Sequence, residues 1–263
     1  MSPAALGPVP FARTTLHFHP PILMGILNIT PDSFSDGGHI RSVEDALRKA
    51  EELFEGGARI LDLGGESSRP KARPVSVEEE LQRLVPVLRG VMKRALPVVI
   101  SVDTYKAAVA AVVLQEGAEI INDITALRDP DMARVVGKHQ GGLVLMHMRG
   151  TPQTMQDEPI VYEDLGQSIV GVLKAAQTQA LAAGVHQERI FVDPGIGFGK
   201  TTAHNLWLTR HLDFLNALGQ PIVYGPSRKK FLGDITGRAI ADRERATAAV
   251  CVAAVLAGAH VLR

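Results

Sequence analysis

Three polar residues of this sequence each stand at the end of a short apolar run. They are Asp103, Asn122 and Asp193. Carboxylates accept hydrogen bonds, and a carboxamide both donates and accepts them. If the three side chains converge, together with Lys229, they suit a small, flat ligand with many N–H groups.

A second group of residues suits an anion. Arg69, Arg263 and the Ser227-Arg228-Lys229 turn supply positive charge and backbone N–H groups, which are the usual partners of phosphates and carboxylates. Taken singly, an Asp or Asn after a strand is more often a turn former or helix cap than a ligand contact. The functional interpretation therefore depends on all of these residues meeting at one place.

The elements that would bring them together alternate along the chain. Eight apolar runs predict strands at Ile22–Leu27, Ile60–Leu63, Val98–Val102, Glu119–Asn122, Leu143–His147, Ile190–Val192, Ile222–Tyr224 and His260–Leu262. Amphipathic or Ala-rich segments predict helices at Val43–Glu55, Val77–Ala95, Tyr105–Glu116, Pro130–His139, Asp164–Ala183, His204–Leu218 and within Arg243–Ala257. Pro86 should kink or restart the second of these helices.

This order predicts a TIM (β/α)₈ barrel, with an open doubly wound sheet as the alternative. The barrel domain would span residues 21–263, after a Pro-rich lead segment at residues 1–20. The chain ends at Arg263, directly after the eighth predicted strand, so it does not include an eighth helix. Active sites of such barrels lie at the carboxyl ends of the strands, where all of the polar residues above would lie.

Two long loops would lie over the rim that the carboxyl ends of the strands form. The first runs from Asn28 to Gly38 and the second from Gly64 to Pro70. Loops of this length often act as lids, so we expect both to become ordered when substrates bind.

Composition narrows the class of partner and compartment. The 263 residues include 28 Lys plus Arg and 28 Asp plus Glu, a balance that disfavours nucleic-acid or membrane-surface binding. Cys251 is the single cysteine, and we interpret it as a buried structural thiol. No intramolecular disulfide is then possible, which is typical of a reducing, cytoplasmic location. The apolar stretch Ala246–Leu262 is long enough to cross a membrane, but a helix packed in a large core is favoured.

Several features resemble sites that we do not predict. The segment Gly195–Thr201 resembles a nucleotide-binding loop, but Pro194 occupies the position of its first glycine. His17 and His19 are paired without a third ligand nearby, which disfavours zinc. His147 fits a core histidine. No Ser-His-Asp set or reactive Cys is apparent, which argues against a covalent enzyme intermediate.

Seven segments resemble the signature segments of the dihydropteroate synthase family, in the family's order. They are Leu27–Gly38, Asp62–Pro70, Ser101–Thr104, Ile121–Ile124, Leu145–Gly150, Asp193–Lys200 and Gly225–Lys229. The loop sequences NITPDSFSDGG and GGESSRP are highly characteristic of it. The resemblance implies a TIM barrel that binds 6-hydroxymethyl-7,8-dihydropterin diphosphate and 4-aminobenzoate, with Mg²⁺, as a homodimer.

The same resemblance implies roles for individual residues. Pterin contacts would be Asp103, Asn122, Met146, Asp193, Phe198 and Lys229. Diphosphate contacts would be Asn28, Ser68, Arg69 and Arg263, with Asn28 also associated with the metal. The 4-aminobenzoate side would be Phe34, Pro70 and Ser227. Catalysis would depend on Asp103, Asp193, Lys229 and Arg69.

The chain departs from the family pattern at two places. The family commonly has Thr where Ser68 stands, although the hydroxyl is retained. The family pattern continues beyond the terminal Arg with a phosphate-contacting His and a closing helix, which this chain does not include.

We favour a dissociative substitution, in which pyrophosphate leaves before the arylamine attacks. Two alternatives remain at this point. A pterin-binding methyltransferase would keep the Asp-Asn-Asp set without needing Arg69 or the Ser-Arg-Lys turn. A non-catalytic paralogue would bind pterin or act as a partner subunit.

Overall fold

The computed structural model describes residues 6–30, 42–157 and 159–263 of the chain. A hairpin of β1 (Val9–Pro10) and β2 (Thr15–Leu16) precedes eight further strands. These are β3 (Ile22–Asn28), β4 (Ala58–Gly64), β5 (Val99–Asp103), β6 (Ile120–Asp123), β7 (Gly142–Met146), β8 (Ile190–Asp193), β9 (Val223–Tyr224) and β10 (Val261–Leu262). All eight predicted strands are present, with bounds that differ by at most two residues at either end.

The eight strands pair in parallel and close on themselves. Their order is β8-β7-β6-β5-β4-β3-β10-β9. The two ends of this order meet at a parallel bridge between Val192 and Ile222, beside a hydrogen bond of 3.0 Å from Val192 N to Pro221 O. The predicted (β/α)₈ barrel is therefore confirmed, and the open doubly wound sheet is excluded.

Helices follow the strands on the outside. They are α1 (Val43–Glu55), α2 (Val77–Arg94), α3 (Ala107–Gln115), α4 (Met132–Lys138), α5 (Leu165–Ala182), α6 (Thr202–Arg210), α7 (Lys230–Thr236) and α8 (Glu244–Leu256). Ser42, Ser76, Asp164 and Thr201 cap α1, α2, α5 and α6 through their side chains. The helix α2 continues through Pro86, so the expected restart of this helix does not occur.

Two helix predictions were incomplete. The single helix predicted over His204–Leu218 is α6 followed by a 3₁₀ helix at Leu212–Leu218. The break falls at His211, whose φ of −128° and ψ of 36° are not helical. The seven-residue helix α7 was not predicted, since it is too short to show a clear period.

The lead segment contains structure that the sequence did not predict. The turn of the β1–β2 hairpin reaches Glu119, the residue before β6. The backbone N–H of Ala12 donates to Glu119 Oε1 at 2.9 Å, and the Arg13 guanidinium pairs with Oε2 at 3.2 Å. Val9 and Leu16 pack into an apolar cluster with residues from the barrel strands. The hairpin thereby covers the amino end of the barrel.

The apolar stretch Ala246–Leu262 divides into α8 and β10. Only part of the prediction for it holds, because Ala254 is buried while Val252 and Leu256 are 62% and 85% exposed. Cys251 on α8 is half-buried rather than fully buried, and burial raises the pKa of its thiol. Every helix within residues 6–30, 42–157 and 159–263 is too short or too polar to span a bilayer.

Candidate active site

The predicted polar residues meet at the carboxyl ends of the strands. Asp103 ends β5, Asn122 lies in β6, Asp193 ends β8 and Arg263 follows β10. The first three are 9%, 4% and 5% exposed, so their polar groups must find partners within the protein or a ligand. The structure thus brings these four residues to the same end of the barrel, as the sequence predicted for their positions.

Asp62 organises the floor of this site, although it was not among the predicted site residues. It lies in the middle of β4 and is fully buried. Ser101 Oγ donates to its Oδ1 at 2.6 Å, and Asn122 Nδ2 donates to its Oδ2 at 3.0 Å. Arg263 Nε donates to the same Oδ2 at 2.6 Å. A carboxylate inside an otherwise apolar strand was the signal that could have identified it.

Arg263 joins this floor to Asp103. Its Nη2 donates to Asp103 Oδ2 at 2.7 Å. Burial raises the pKa of the Asp103 carboxyl, and the guanidinium acts in the opposite direction. Burial alone would lower the pKa of Arg263, but the charges of Asp62 and Asp103 outweigh it and raise that pKa. The guanidinium therefore stays charged and links two buried carboxylates.

Asp193 and Lys229 both form hydrogen bonds with a glycine-rich turn, Gly195–Gly199. The N–H of Gly195 donates to Asp193 Oδ1 at 2.6 Å, which orients the carboxylate. Lys229 Nζ donates to the carbonyl of Ile196 and lies 4.3 Å from the centroid of the Phe198 ring. Burial raises the pKa of Asp193, and burial lowers the pKa of Lys229 to about 7 despite the opposing effect of Asp193.

The same turn also contacts Lys200, which is buried, whereas Lys229 is half-buried. Lys200 Nζ donates to Phe198 O at 3.1 Å and lies 3.0 Å from His147 Nδ1. Burial, and then the charge of Lys200, lower the pKa of His147 to about 3, so its ring is neutral and Nδ1 can accept from the lysine. The prediction of a satisfied core histidine is confirmed, and its partner is a residue that the sequence did not single out.

An apolar wall stands beside the polar floor. Met146 and Phe198, both predicted to line the site, belong to a buried cluster completed by Ile124, Met148 and Met155. With Lys229 over the Phe198 ring, the cluster offers apolar surface and one cation at its edge. The site therefore combines buried carboxylates with an apolar wall, which is the combination that a flat ring system with a polar edge requires.

The second loop carries three predicted contacts. Ser68 is half-buried, and Arg69 and Pro70 are exposed. The loop is also held from the far side, where Lys71 N donates to Pro152 O at 3.0 Å and Gln153 Nε2 donates to Ala72 O at 3.2 Å. These contacts hold the chain just after the second loop, at Lys71 and Ala72. The expected ordering of the loop on substrate binding stays a prediction.

The remaining predicted residues lie farther out or cannot be described. Asn28 is exposed at the end of β3. Its side chain lies against Gly64, because a Cβ added to this glycine would be 3.2 Å from Asn28 Oδ1. Ser227 is exposed, two residues before Lys229, which caps α7. Phe34 and the rest of the first loop from Pro31 to Arg41 lie outside the described residues.

No protein-only metal cage is formed by the part of the chain that the structure describes. No group of three or more His, Cys, Asp or Glu side chains is suitably placed there. The carboxamide of Asn122 is buried, whereas that of Asn28 lies exposed at the rim. Such a donor fits Mg²⁺, which is commonly held by one or two protein oxygens with water and substrate phosphates completing its shell.

Comparison with known proteins identifies the class to which this rim belongs. The family model described as pterin binding enzyme matches residues 24–263. The dihydropteroate synthase of Synechocystis is 43% identical over 92% of this chain and 83% of its own length. The chain therefore belongs to the pterin-binding enzyme family.

Solved structures narrow the assignment within that family. A Yersinia pestis dihydropteroate synthase in a sulfonamide complex is 39% identical, with a TM-score of 0.93 over 98% of this chain and 93% of that one. A Xanthomonas albilineans dihydropteroate synthase with 4-aminobenzoic acid is 41% identical, with a TM-score of 0.87 over 95% and 89%. Within the family, the chain belongs to the dihydropteroate synthases, transferases of folate synthesis.

Proposed function

We propose that this chain joins 6-hydroxymethyl-7,8-dihydropterin diphosphate to 4-aminobenzoate at the carboxyl-end rim and releases pyrophosphate. One observation carries the assignment of the site. The acceptors Asp103, Asn122 and Asp193 are buried at this rim, and Met146 and Phe198 belong to a buried apolar cluster at the same end of the barrel. A pterin has a guanidine-like edge that needs acceptors and a flat face that needs apolar surface, and this arrangement offers both.

The pterin would bind with its donor edge toward the carboxylates. Asp103 and Asp193 would accept from its N–H groups, and Asn122 would both donate and accept. Loss of the diphosphate leaves positive charge that spreads from the exocyclic methylene into the ring. Two buried carboxylates stabilise such charge as it develops, because they are already oriented. Lys229 would donate a hydrogen bond to an acceptor atom of the pterin ring.

The leaving group would lie toward the second loop. Ser68 and Arg69 lie in that loop, and Asn28 lies at the end of β3. Arg263 donates to Asp62 and Asp103 through Nε and Nη2, while Nη1 has no protein partner among the described residues. That third nitrogen is the atom through which Arg263 would reach the diphosphate. Mg²⁺, held by Asn28, would neutralise charge on the leaving oxygens.

The arylamine would enter from the outer side of the rim. Pro70 and Ser227 are exposed there, and Phe34, which lies outside the described residues, would contribute from the first loop. The Ser227 hydroxyl would donate to the benzoate carboxylate. In the reaction the methylene–oxygen bond breaks, the methylene–nitrogen bond forms and the arylamine loses a proton. The amine is neutral and needs positioning more than deprotonation.

We also propose a homodimer in the cytoplasm. The interface between the two copies would include the outer faces of α6 and α8. Trp207, Val252 and Leu256 are 40%, 62% and 85% exposed, and apolar surface of this extent often marks a protein interface. Light scattering after size exclusion tests the state directly. A monomeric mass at micromolar concentration would contradict the dimer.

A pyrophosphate-release assay with and without 4-aminobenzoate tests the function. Release that depends on 4-aminobenzoate supports it. Methyl transfer, or pterin binding without turnover, would instead support one of the two alternatives.

The variant Arg69→Ala tests the place of the diphosphate. We expect turnover of the diphosphate substrate to fall by about tenfold or more, while the affinity for 6-hydroxymethylpterin stays within about twofold. Arg73→Ala is the matched control, because it removes an exposed arginine from the segment that follows this loop and precedes α2. Equal losses for both ligands in Arg69→Ala would place Arg69 in support of the fold or of the ring.

A further inference from the structure

Glu66 lies at the base of the second loop and holds two partners that follow β5. Tyr105 Oη donates to Glu66 Oε1 at 2.7 Å. Lys106 Nζ donates to Glu66 Oε2 and also to Glu80 Oε2, the latter at 2.6 Å. Both carboxylate oxygens of Glu66 are therefore engaged by consecutive residues, two and three positions after the predicted pterin contact Asp103.

The two contacts hold both ends of the loop. Lys106 Nζ also donates to the carbonyl of Val75 at 2.9 Å, and Val75 N donates to Glu66 Oε2 at 3.4 Å. The segment with Ser68 and Arg69 spans the distance between these two fixed points. The position of this segment therefore depends on Glu66 as well as on the contacts of Lys71 and Ala72 with Pro152 and Gln153.

Tyr105 has a second set of contacts on its other side. Its side chain packs against the apolar cluster that includes Met146 and Phe198, the wall proposed to take the pterin ring. A small cavity lined by Ser67, Ser68, Asp103, Thr104 and Tyr105, among others, adjoins the same place. One side chain thus touches the pterin wall with its ring and the base of the second loop with its hydroxyl.

The protonation states of Tyr105 and Lys106 favour persistent hydrogen bonds to Glu66. Burial, and then the hydrogen bond to Glu66, raise the pKa of Tyr105, so its hydroxyl stays protonated and donates. Burial alone would lower the pKa of Lys106, but its hydrogen bonds to Glu66 and Glu80 outweigh burial and raise that pKa. A hydrogen bond to a charged acceptor in a half-buried setting is among the stronger ones.

We infer that Tyr105 is a positioning residue. Through its hydrogen bond to Glu66, it couples binding of the pterin ring against the apolar wall to the position of the second loop, which binds the anion. The inference rests on the proposed function, since it requires that Arg69 contacts the diphosphate. Tyr105 touches neither reacting group in this scheme. It sets where Arg69 lies relative to the pterin wall.

The variant Tyr105→Phe tests the coupling, because it removes only the hydroxyl and keeps the ring that packs on the wall. Calorimetry would compare binding of 6-hydroxymethylpterin with binding of its diphosphate. We expect the affinity for the bare pterin to stay within about twofold and the affinity for the diphosphate to fall by roughly tenfold, as for the loss of one charge-assisted hydrogen bond. An equal loss for both ligands would overturn the inference.

Tyr224→Phe is the matched control. It removes another tyrosine hydroxyl, which lies 2.6 Å from Thr209 Oγ1 between β9 and α6, away from the second loop. We expect it to lower the free energy of unfolding and to leave the ratio of the two affinities unchanged. A changed ratio in this control would show that any lost tyrosine hydroxyl has the effect, and would overturn the inference.

A double-mutant cycle with Arg69→Ala separates the inference from the proposed function. If Tyr105 acts through Arg69, Tyr105→Phe should weaken diphosphate binding no further in the Arg69→Ala background. Fully additive effects would overturn the role of Tyr105 and leave the proposed function standing. If Arg69→Ala alone has no effect specific to the diphosphate, the proposed role of the second loop fails first.

Discussion

Asp62 and Arg263 lie 201 positions apart in the sequence, and Nε of the arginine donates to Oδ2 of the aspartate at 2.6 Å. The contact joins the strand before the second loop to the last residue of the chain. It also places the guanidinium where its Nη2 reaches Asp103. The floor of the site is therefore a buried network of two carboxylates held by one cation.

Asp62→Asn should destabilise the fold strongly. It leaves the Arg263 charge with one carboxylate instead of two, and breaking a buried charge pair typically costs about 3–5 kcal/mol. Urea unfolding measures the change. Asp131→Asn is the control, since its pair with Arg134 has both side chains more than half exposed, and such pairs contribute about 0–1 kcal/mol. Similar losses for the two variants would mean that the Asp62 network contributes no more than a surface pair.

Asp103→Asn should weaken pterin binding, in addition to the loss of stability that it shares with Asp62→Asn because each variant leaves Arg263 with one carboxylate. The variant removes the negative charge that would accept hydrogen bonds from the donor-rich edge of the pterin. Loss of such a charge-assisted hydrogen bond corresponds to about 1.5–3 kcal/mol of binding free energy. Calorimetry with 6-hydroxymethylpterin measures it. Glu119→Gln alters a similarly buried carboxylate that also pairs with an arginine, but at the amino end of the barrel. Pterin affinity that is unchanged in Asp103→Asn, or reduced equally in both variants, would contradict the assignment.

Lys200→Met should change how stability depends on pH. Burial lowers the pKa of Lys200 to about 7, whereas an unfolded lysine titrates at about 10.4. Between these values the unfolded chain binds a proton that the folded chain does not, so stability rises with pH. Lys229 contributes in the same direction, because its pKa is also lowered to about 7. The variant should therefore show a shallower rise than the unaltered protein.

Unfolding free energies at pH 7, 8 and 9 would measure these slopes. Cys251 also titrates near this window, because an ordinary thiol has a pKa of about 8.5, but it is common to the variant and the unaltered protein, so the difference between their slopes reports on Lys200. Lys230→Met is the control, because its side chain is 88% exposed. Parallel curves for Lys200→Met and the unaltered protein would show that Lys200 is charged in both states across this range.

4-Aminobenzoate should bind tightly only with the pterin diphosphate, or with pyrophosphate and Mg²⁺, already present. Ser227 alone offers a carboxylate contact of roughly 1–3 kcal/mol, well short of the roughly 8 kcal/mol that micromolar binding needs. The remainder would come from Pro70 and Phe34 once the anion has fixed their loops, which is positive coupling. Calorimetry with and without pyrophosphate and Mg²⁺ measures this coupling. Equal affinities would indicate a preformed pocket and rule out a lid role for the loops.

The sequence by itself determined the barrel and the rim. Alternating apolar runs and amphipathic segments set eight strands and most helices, because side-chain period and capping residues act over a few neighbours. Polar residues after the strands then had to lie together, since parallel strands end at one edge. Asp103, Asn122 and Asp193 could be assigned to one site on that ground.

The tertiary structure alone decided which side chains became partners. Asp62 stands out as a carboxylate in an apolar strand, but its partner Arg263, from the other end of the chain, lies against it only because the barrel closes. Glu66 and Lys106 meet because the loop after β4 lies over the start of α3. Local sequence carries no record of such contacts. They depend on which strands are neighbours and on the direction of each side chain, and closure of the sheet fixes both at once.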